Sequence, residues 1–180
     1  QALCPKDFDE FWASTLEQAR QIPLESHLEF LPEKSTPDVN TYHVSFHNET
    51  WGRRVYGILN VPAKPGRYPA ILKVPGAGVR PYSGDEGLCK KGFVVLEIGI
   101  HGIPVTNLQS YYDILFSSAL RDYWFHGANN RDRSYYKHVI TGCIRSIDFL
   151  ESTPSLTLSS SWDGKNLGVC GSSQGGFLTI

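Results

Sequence analysis

Asn166-Leu167-Gly168-Val169-Cys170-Gly171-Ser172-Ser173-Gln174-Gly175-Gly176 decides how this chain is read. Asn166 to Cys170 reads as a short, mostly apolar strand. Gly171-x-Ser173-x-Gly175 follows it at once, just before an apparent helix start. A serine hydroxyl that must project above a sheet edge needs so tight a turn that side chains on its neighbours would collide, hence the flanking glycines. The N–H of the next residue, Gln174, then faces the place where negative charge develops on an attacked carbonyl. With this composition the pattern arises by chance about 0.15 times per chain, so the preceding strand adds most of the weight. The competing reading is a glycine-rich strand-to-helix turn without chemistry.

Upstream lies a second element of the same kind. Val74-Pro75-Gly76-Ala77-Gly78 follows another short apolar run, Ala70 to Val74, and offers the backbone N–H of Ala77 as a second donor to the same charge. A phosphate-cradling loop is a poor alternative. No Gly-Lys-Ser/Thr follows it, and Pro81 stands where a dinucleotide fingerprint needs its third glycine. Phe93 to Ile98 is a further apolar run, and runs bounded by Gly and Pro suit a sheet covered on both faces. Helices are expected within 109–122 and over 134–152, where Tyr136, Val139, Ile140, Cys143, Ile144, Ile147 and Leu150 form a stripe. The Ser/Thr-rich segment 152–161 reads as a surface loop.

Nearer the start, residues 5–22 read as a helix, with Asp7 and Glu10 at capping-box spacing and Phe8, Phe11, Trp12, Leu16 and Ala19 on one stripe. Pro23, Pro32 and Pro37 punctuate an irregular stretch after it. From 41 to 62 the period becomes two on either side of Asn48-Glu49-Thr50-Trp51-Gly52, predicting an antiparallel hairpin. His43 and His47 share one strand face; no third ligand accompanies them, so solvent-facing histidines are expected rather than a metal pair. A helix, a hairpin and then strands alternating with helices predict an α/β fold with a mostly parallel sheet. Residues 1–40 form the helix and lead-in, and 41–180 the N-terminal half of a single domain.

Composition narrows the function. The chain has 180 residues, a formal charge of -1 and 12% aromatic residues. That balance lacks the basic excess of a nucleic-acid binder, and the apolar runs fall far short of the roughly 20 residues that span a bilayer. Neither nucleic acid nor membrane is an expected partner. Cys4, Cys89, Cys143 and Cys170 show no zinc-ligand spacing. Two disulfides could form in an oxidising compartment, but Cys143 and Cys170 lie in apolar runs and read as buried thiols. No metal or cofactor is expected. Gln1 in place of Met suits either removal of a signal peptide or a cloning boundary, a lean toward export that leaves a cytoplasmic location open.

Four segments carry a family resemblance. They are Cys4-Pro5-Lys6-Asp7-Phe8-Asp9-Glu10-Phe11-Trp12, Val55-Tyr56-Gly57-Ile58-Leu59-Asn60-Val61-Pro62, Tyr135-Tyr136-Lys137-His138-Val139 leading to Arg145-Ser146-Ile147-Asp148-Phe149-Leu150, and Gly171-Ser172-Ser173-Gln174-Gly175-Gly176. From about residue 4 to its end, the chain resembles the acetyl xylan esterase and cephalosporin C deacetylase family, the carbohydrate esterases of family 7. The resemblance implies an α/β-hydrolase fold, removal of acetyl or other small acyl groups from sugars, and commonly a ring-like hexamer. Ser173 would be the nucleophile, with the Gln174 N–H as one oxyanion donor. Two departures stand out. The family's His-Gly-Tyr at the first oxyanion loop is here Pro75-Gly76-Ala77, and its Arg-Gly-Gln corresponds to His101-Gly102-Ile103.

The triad of this fold runs Ser, Asp or Glu, then His along the chain, whereas all six histidines (27, 43, 47, 101, 126 and 138) precede Ser173. The acid and base are therefore expected outside residues 1–180. His101 and His126, each beside a glycine, read as loop residues near the site mouth. Residues 1–180 by themselves are expected to be inactive and poorly soluble, with an open sheet edge. A serine peptidase, a hydrolase of other esters, and a non-catalytic binding protein with Ser173 as a relic remain the alternatives.

Overall fold

The computed structural model describes residues 3–180. The elements run α1 (Phe8–Arg20), β1 (His27–Phe30), β2 (Val39–His47), β3 (Arg54–Pro62), β4 (Gly66–Lys73), α2 (Glu86–Lys90), β5 (Val94–Ile98), α3 (Gln109–Ser117), α4 (Tyr135–Ser152), β6 (Ser160–Cys170) and α5 (Gln174–Leu178). Single turns of 3-10 helix lie at Pro32–Lys34, Tyr123–Phe125 and Thr153–Ser155. Among the described residues the strands form one sheet in the order β1-β2-β3-β5-β4-β6. β2 and β3 are the expected hairpin, with His43 opposite Ile58. β3 also pairs antiparallel with β5, while β4 lies parallel between β5 and β6. This part of the sheet is thus mixed, antiparallel on the β1 side and parallel on the β6 side.

The parallel half fixes where chemistry can occur. Lys73 is level with Glu97 on β5 and with Cys170 on β6, so all three strands end at one edge. The segments that follow them, from residues 74, 99 and 171, emerge side by side. Ligands of open α/β sheets bind outside such carboxyl ends.

Apolar runs without alternation produce strands buried on both faces. Val94, Val95, Leu96 and Ile98 of β5 are all buried, as are Ile58, Leu59 and Val61 of β3. One face packs against α4, where Phe149 stacks on Phe46 at 4.7 Å between ring centroids. On other parts of the sheet Val39, Cys89 and Val95 form one cluster, and Leu31, Ile58 and Val105 another. Burial pushes the Cys89 and Cys143 thiols up to about 12.

Four expectations need correction. Asp7 precedes α1 without capping it; its carboxylate instead binds Arg131 at 2.6 Å, because a guanidinium is a stronger partner than a backbone amide. The 152–161 segment is not a surface loop. Thr153 is fully buried and accepts from Trp162 N–H, while Ser160, 2% exposed, opens β6 and donates to the carbonyls of Pro62 and Lys64. Cys170 is exposed, since the second half of β6 lies at the sheet edge among the described residues. His43 and His47 do not face solvent. His47 is 5% exposed with its Nδ1 3.0 Å from the Pro23 carbonyl, and His43 accepts from Val105 N–H while stacking on Tyr56. All four cysteines are free.

One ionic staple ties α1 to α4. Asp148 accepts from Arg145 at 3.0 Å and from Arg20 at 2.8 and 3.2 Å, and the Arg145 side chain is nearly buried and also binds the Ile22 carbonyl. Removing the partner of a buried guanidinium costs about 3 kcal/mol. Asp148→Ala is therefore expected to lose about 3 kcal/mol in urea unfolding, against well under 1 kcal/mol for Lys90→Ala, whose ion pair with Glu86 leaves both side chains nearly half exposed. Equal losses would refute the staple.

Candidate active site

β6 ends at Cys170 and α5 begins at Gln174, leaving three residues to reverse the chain. Ser173 sits at φ 56°, ψ -119°, one of three non-glycine residues with positive φ among the described residues. Such a conformation costs on the order of 1–3 kcal/mol and persists only where its surroundings over-determine it. Here Gly175 N–H donates to the Ser172 carbonyl at 2.8 Å and Phe177 N–H to the Ser173 carbonyl at 3.2 Å. Both motif glycines are sterically required. A Cβ on Gly171 would lie 2.6 Å from the Gly175 carbonyl carbon, and one on Gly175 would lie 2.6 Å from the Val74 carbonyl oxygen. Neither contact can relax by a rotamer change, because the obstacle is backbone.

The Pro75–Gly78 loop passes against this turn; a Cβ on Gly76 would come within 3.2 Å of the Ser172 carbonyl. Among the described residues neither Ala77 N–H nor Gln174 N–H has a backbone or side-chain acceptor, as a pair of anion donors requires. The far end of the loop is pinned as well. Gly84 N–H donates to Glu97 at 2.7 Å, Asp85 N–H to Asn60 at 2.8 Å, and Lys73 bridges Asp85 and Glu97 at 2.9 and 3.6 Å.

The side chain of Gln174, for which the sequence predicts only a backbone role, is the tie between turn and loop. Its Oε1 accepts from Tyr123 at 2.8 Å and from Tyr136 at 3.0 Å, and its Nε2 reaches the Pro75 carbonyl at 3.4 Å. Tyr123 in turn accepts from Gly78 N–H at 3.3 Å. His101, at the end of β5, places Nε2 2.8 Å from the Gly78 carbonyl and Nδ1 2.6 Å from the Tyr135 hydroxyl. Tyr123, Tyr135 and Tyr136 were missed; the aromatic runs at 123–125 and 135–136 are visible, but no spacing links them to residues 78 or 174. His126 is exposed, its Nε2 beside the Arg121 carbonyl.

No imidazole or carboxylate among the described residues hydrogen-bonds to Ser173 Oγ, and none of the described histidines, cysteines and acids group into a metal site of three or more. No helix among them is long and apolar enough to cross a membrane. Beside the loop lies an open cleft of about 510 Å³ lined by Ala77, Gly78, Val79, Arg80, Gln109, Phe116 and Trp124.

A protein-family model described as acetyl xylan esterase matches residues 1–180. The acetyl esterase Axe7A of Xylanibacter ruminicola is 34% identical over 181 residues, covering 98% of this chain and 40% of its own length. Two solved structures share the fold. Acetyl xylan esterase 1 from Thermoanaerobacterium sp. JW/SL YS485 superposes with a TM-score of 0.76 at 20% identity, over 99% of this chain and 54% of its own. The acetyl xylan esterase from Paenibacillus sp. R4 gives 0.75 at 24% identity, over 99% of this chain and 55% of its own. The chain thus spans about half the length of these relatives.

Proposed function

The chain belongs to the acetyl xylan esterase family, and from that premise we propose that the protein carrying it is a serine esterase that removes acetyl groups from carbohydrates. The observation that supports this most is the backbone of Ser173: a strained turn packed against the Pro75–Gly78 loop, with the N–H groups of Gln174 and Ala77 both unengaged. In this reading Ser173 Oγ attacks the acetyl carbonyl and its proton passes to a base. The Ala77 and Gln174 N–H groups hold the resulting oxyanion. The tetrahedral intermediate then expels the sugar alkoxide, which takes up the proton, and leaves an acetyl-serine that water hydrolyses by the same route.

The base and its orienting acid are assigned to positions outside 1–180. His43, His47, His101 and His126 are each engaged elsewhere, His138 contacts Glu49, and His27 lies on β1, at the opposite edge of the described sheet from β6. The cleft beside Ala77 suits a sugar. Trp124 and Phe116, edge to face at 6.4 Å, offer an apolar platform, and Arg80 and Gln109 offer donors for hydroxyls.

Acetylated xylo-oligosaccharide, 4-nitrophenyl acetate and a peptide amide test the proposal together. Acetate release from both esters with the peptide intact is expected. Peptide cleavage alone would make the protein a peptidase, and binding of the oligosaccharide without turnover would make it a binding protein. Trp124→Ala is expected to raise KM for the oligosaccharide about tenfold more than KM for 4-nitrophenyl acetate, the worth of one aromatic face. Equal effects on both substrates would remove Trp124 from sugar recognition.

A further inference from the structure

Gly78 has both of its backbone groups bound by side chains, each from a different element. A carbonyl only accepts, so His101 must donate to it from Nε2–H. In the neutral ring Nδ1 then carries no proton and accepts from Tyr135. On the other side Gly78 N–H donates to Tyr123, and Tyr123 donates to Gln174 Oε1. The bonds therefore all point one way, from Tyr135 through His101, Gly78 and Tyr123 to Gln174. The amide groups at Gly78 and Gln174 leave no reversed alternative. His101 also packs edge to face with the Tyr123 ring, 4.7 Å between centroids. Gly78 itself has φ +128°, a conformation that chain sterics do not enforce and that a peptide flip would abolish. The Gly78 carbonyl belongs to the Gly78–Val79 peptide and the Gly78 N–H to the Ala77–Gly78 peptide, so His101 and Tyr123 together fix the two peptides that directly follow Ala77, whose own N–H is the proposed donor.

We propose that His101, held as the neutral Nε2–H tautomer by Tyr135, is a positioning residue that locks the oxyanion loop through the Gly78 carbonyl. This rests on the reading of Ala77 as an oxyanion donor. The imidazole takes no proton from substrate; it fixes a peptide. Its surroundings agree with a neutral ring. Burial pulls its pKa below the ordinary histidine value, and Arg80 on the loop opposes a positive charge. Tyr123 and Tyr135 face it directly, and Arg53, Arg54, Arg133, His126 and His138 line the cavity on its other side, where Glu49 pairs with His138 and Arg53.

The test compares His101→Phe with His101→Gln in the protein carrying this chain, with melting temperature, kcat and KM measured for each and ¹⁵N NMR of the wild-type ring. Phenylalanine keeps the packing on Tyr123 but loses both hydrogen bonds; kcat on 4-nitrophenyl acetate is expected to fall about 100-fold, as for a lost oxyanion donor, with KM changed less than about threefold. Glutamine can donate to Gly78 and accept from Tyr135, and is expected to recover most of that loss. The NMR should show a protonated Nε2 and a bare Nδ1 at neutral pH, with the Nδ1–H form rising in Tyr135→Phe. An unchanged kcat in a folded His101→Phe variant overturns the proposal. So does equal loss in both folded variants, which would make His101 a proton-transfer group. If either variant fails to melt cooperatively, the ring tautomer decides: an Nδ1–H or charged ring in the wild type also overturns it. Were the wild type to hydrolyse no ester, the esterase reading would fall, while the tautomer would still judge the lock.

Discussion

Replacing Ser173 by alanine is expected to lower kcat on 4-nitrophenyl acetate by at least about 10⁴-fold, the scale on which a triad nucleophile is lost. Replacing it by glycine should abolish activity to the same extent. The two variants should part in stability. At φ 56°, ψ -119°, alanine keeps the steric strain of the wild type, whereas glycine relieves it. Glycine also gains disorder in the unfolded chain, which offsets part of that relief. The net expectation is that Ser173→Gly is more stable than Ser173→Ala by about 1 kcal/mol, or a few degrees in melting temperature for a chain of this size. Equal ester turnover in wild type and Ser173→Ala would remove Ser173 from the chemistry. Equal melting of the two variants would show that the strain at position 173 is no larger than glycine's unfolded-state entropy, about 0.4–1 kcal/mol. The two results are independent, so the geometry of the elbow and the role of the hydroxyl are judged separately.

What could be read from the sequence, and what could not, follows from the range of the forces involved. The turn at 171–175 was legible because its motif is contiguous and part of the requirement is local: a Cβ on Gly171 collides with the backbone of Gly175 four residues on, although the obstacle at Gly175 is the distant backbone of Val74. The strands β4 and β5 were legible because burial on two faces leaves unbroken apolar runs. β1 was not, since His27-Leu28-Glu29-Phe30 is too short to show a period and gains its place only by pairing with β2. Thr153, Ser160 and His47 look like surface residues by type. Each is buried because one particular carbonyl or amide, up to 98 residues away, satisfies its polar atom. The lock around Gly78 is of that second kind. His101, Tyr123, Tyr135 and Gln174 meet only once β5, α4 and the elbow are assembled, and each could equally be a surface residue in another fold.

A graded glycine series tests whether the elbow and the oxyanion loop form one rigid unit. A Cβ at position 175 would lie 2.6 Å from the Val74 carbonyl oxygen and 3.2 Å from the Pro75 carbonyl. Both obstacles are backbone at the root of the loop, so relief requires α5 to move away from it. That movement carries Gln174 N–H away from Ala77 N–H and stretches the Gln174 ties to Tyr123 and Pro75. Misplacement of a catalytic group by about 1 Å costs on the order of 100-fold in rate. Gly175→Ala is thus expected to reduce kcat by about 100-fold and to cost about 1–3 kcal/mol of stability. Gly171→Ala, at 2.6–2.7 Å from the backbone of Gly175, should be comparable. Gly76→Ala meets a single atom at 3.2 Å and should lose less. Gly52→Ala, in the β2–β3 turn with open space around it, should alter neither rate nor melting. The order 175 and 171 above 76, with 52 silent, is what a unit held by backbone contact demands. Full activity in Gly175→Ala would mean that the turn absorbs the added methyl without displacing the two N–H groups, and the elbow and the loop would then not be one rigid unit.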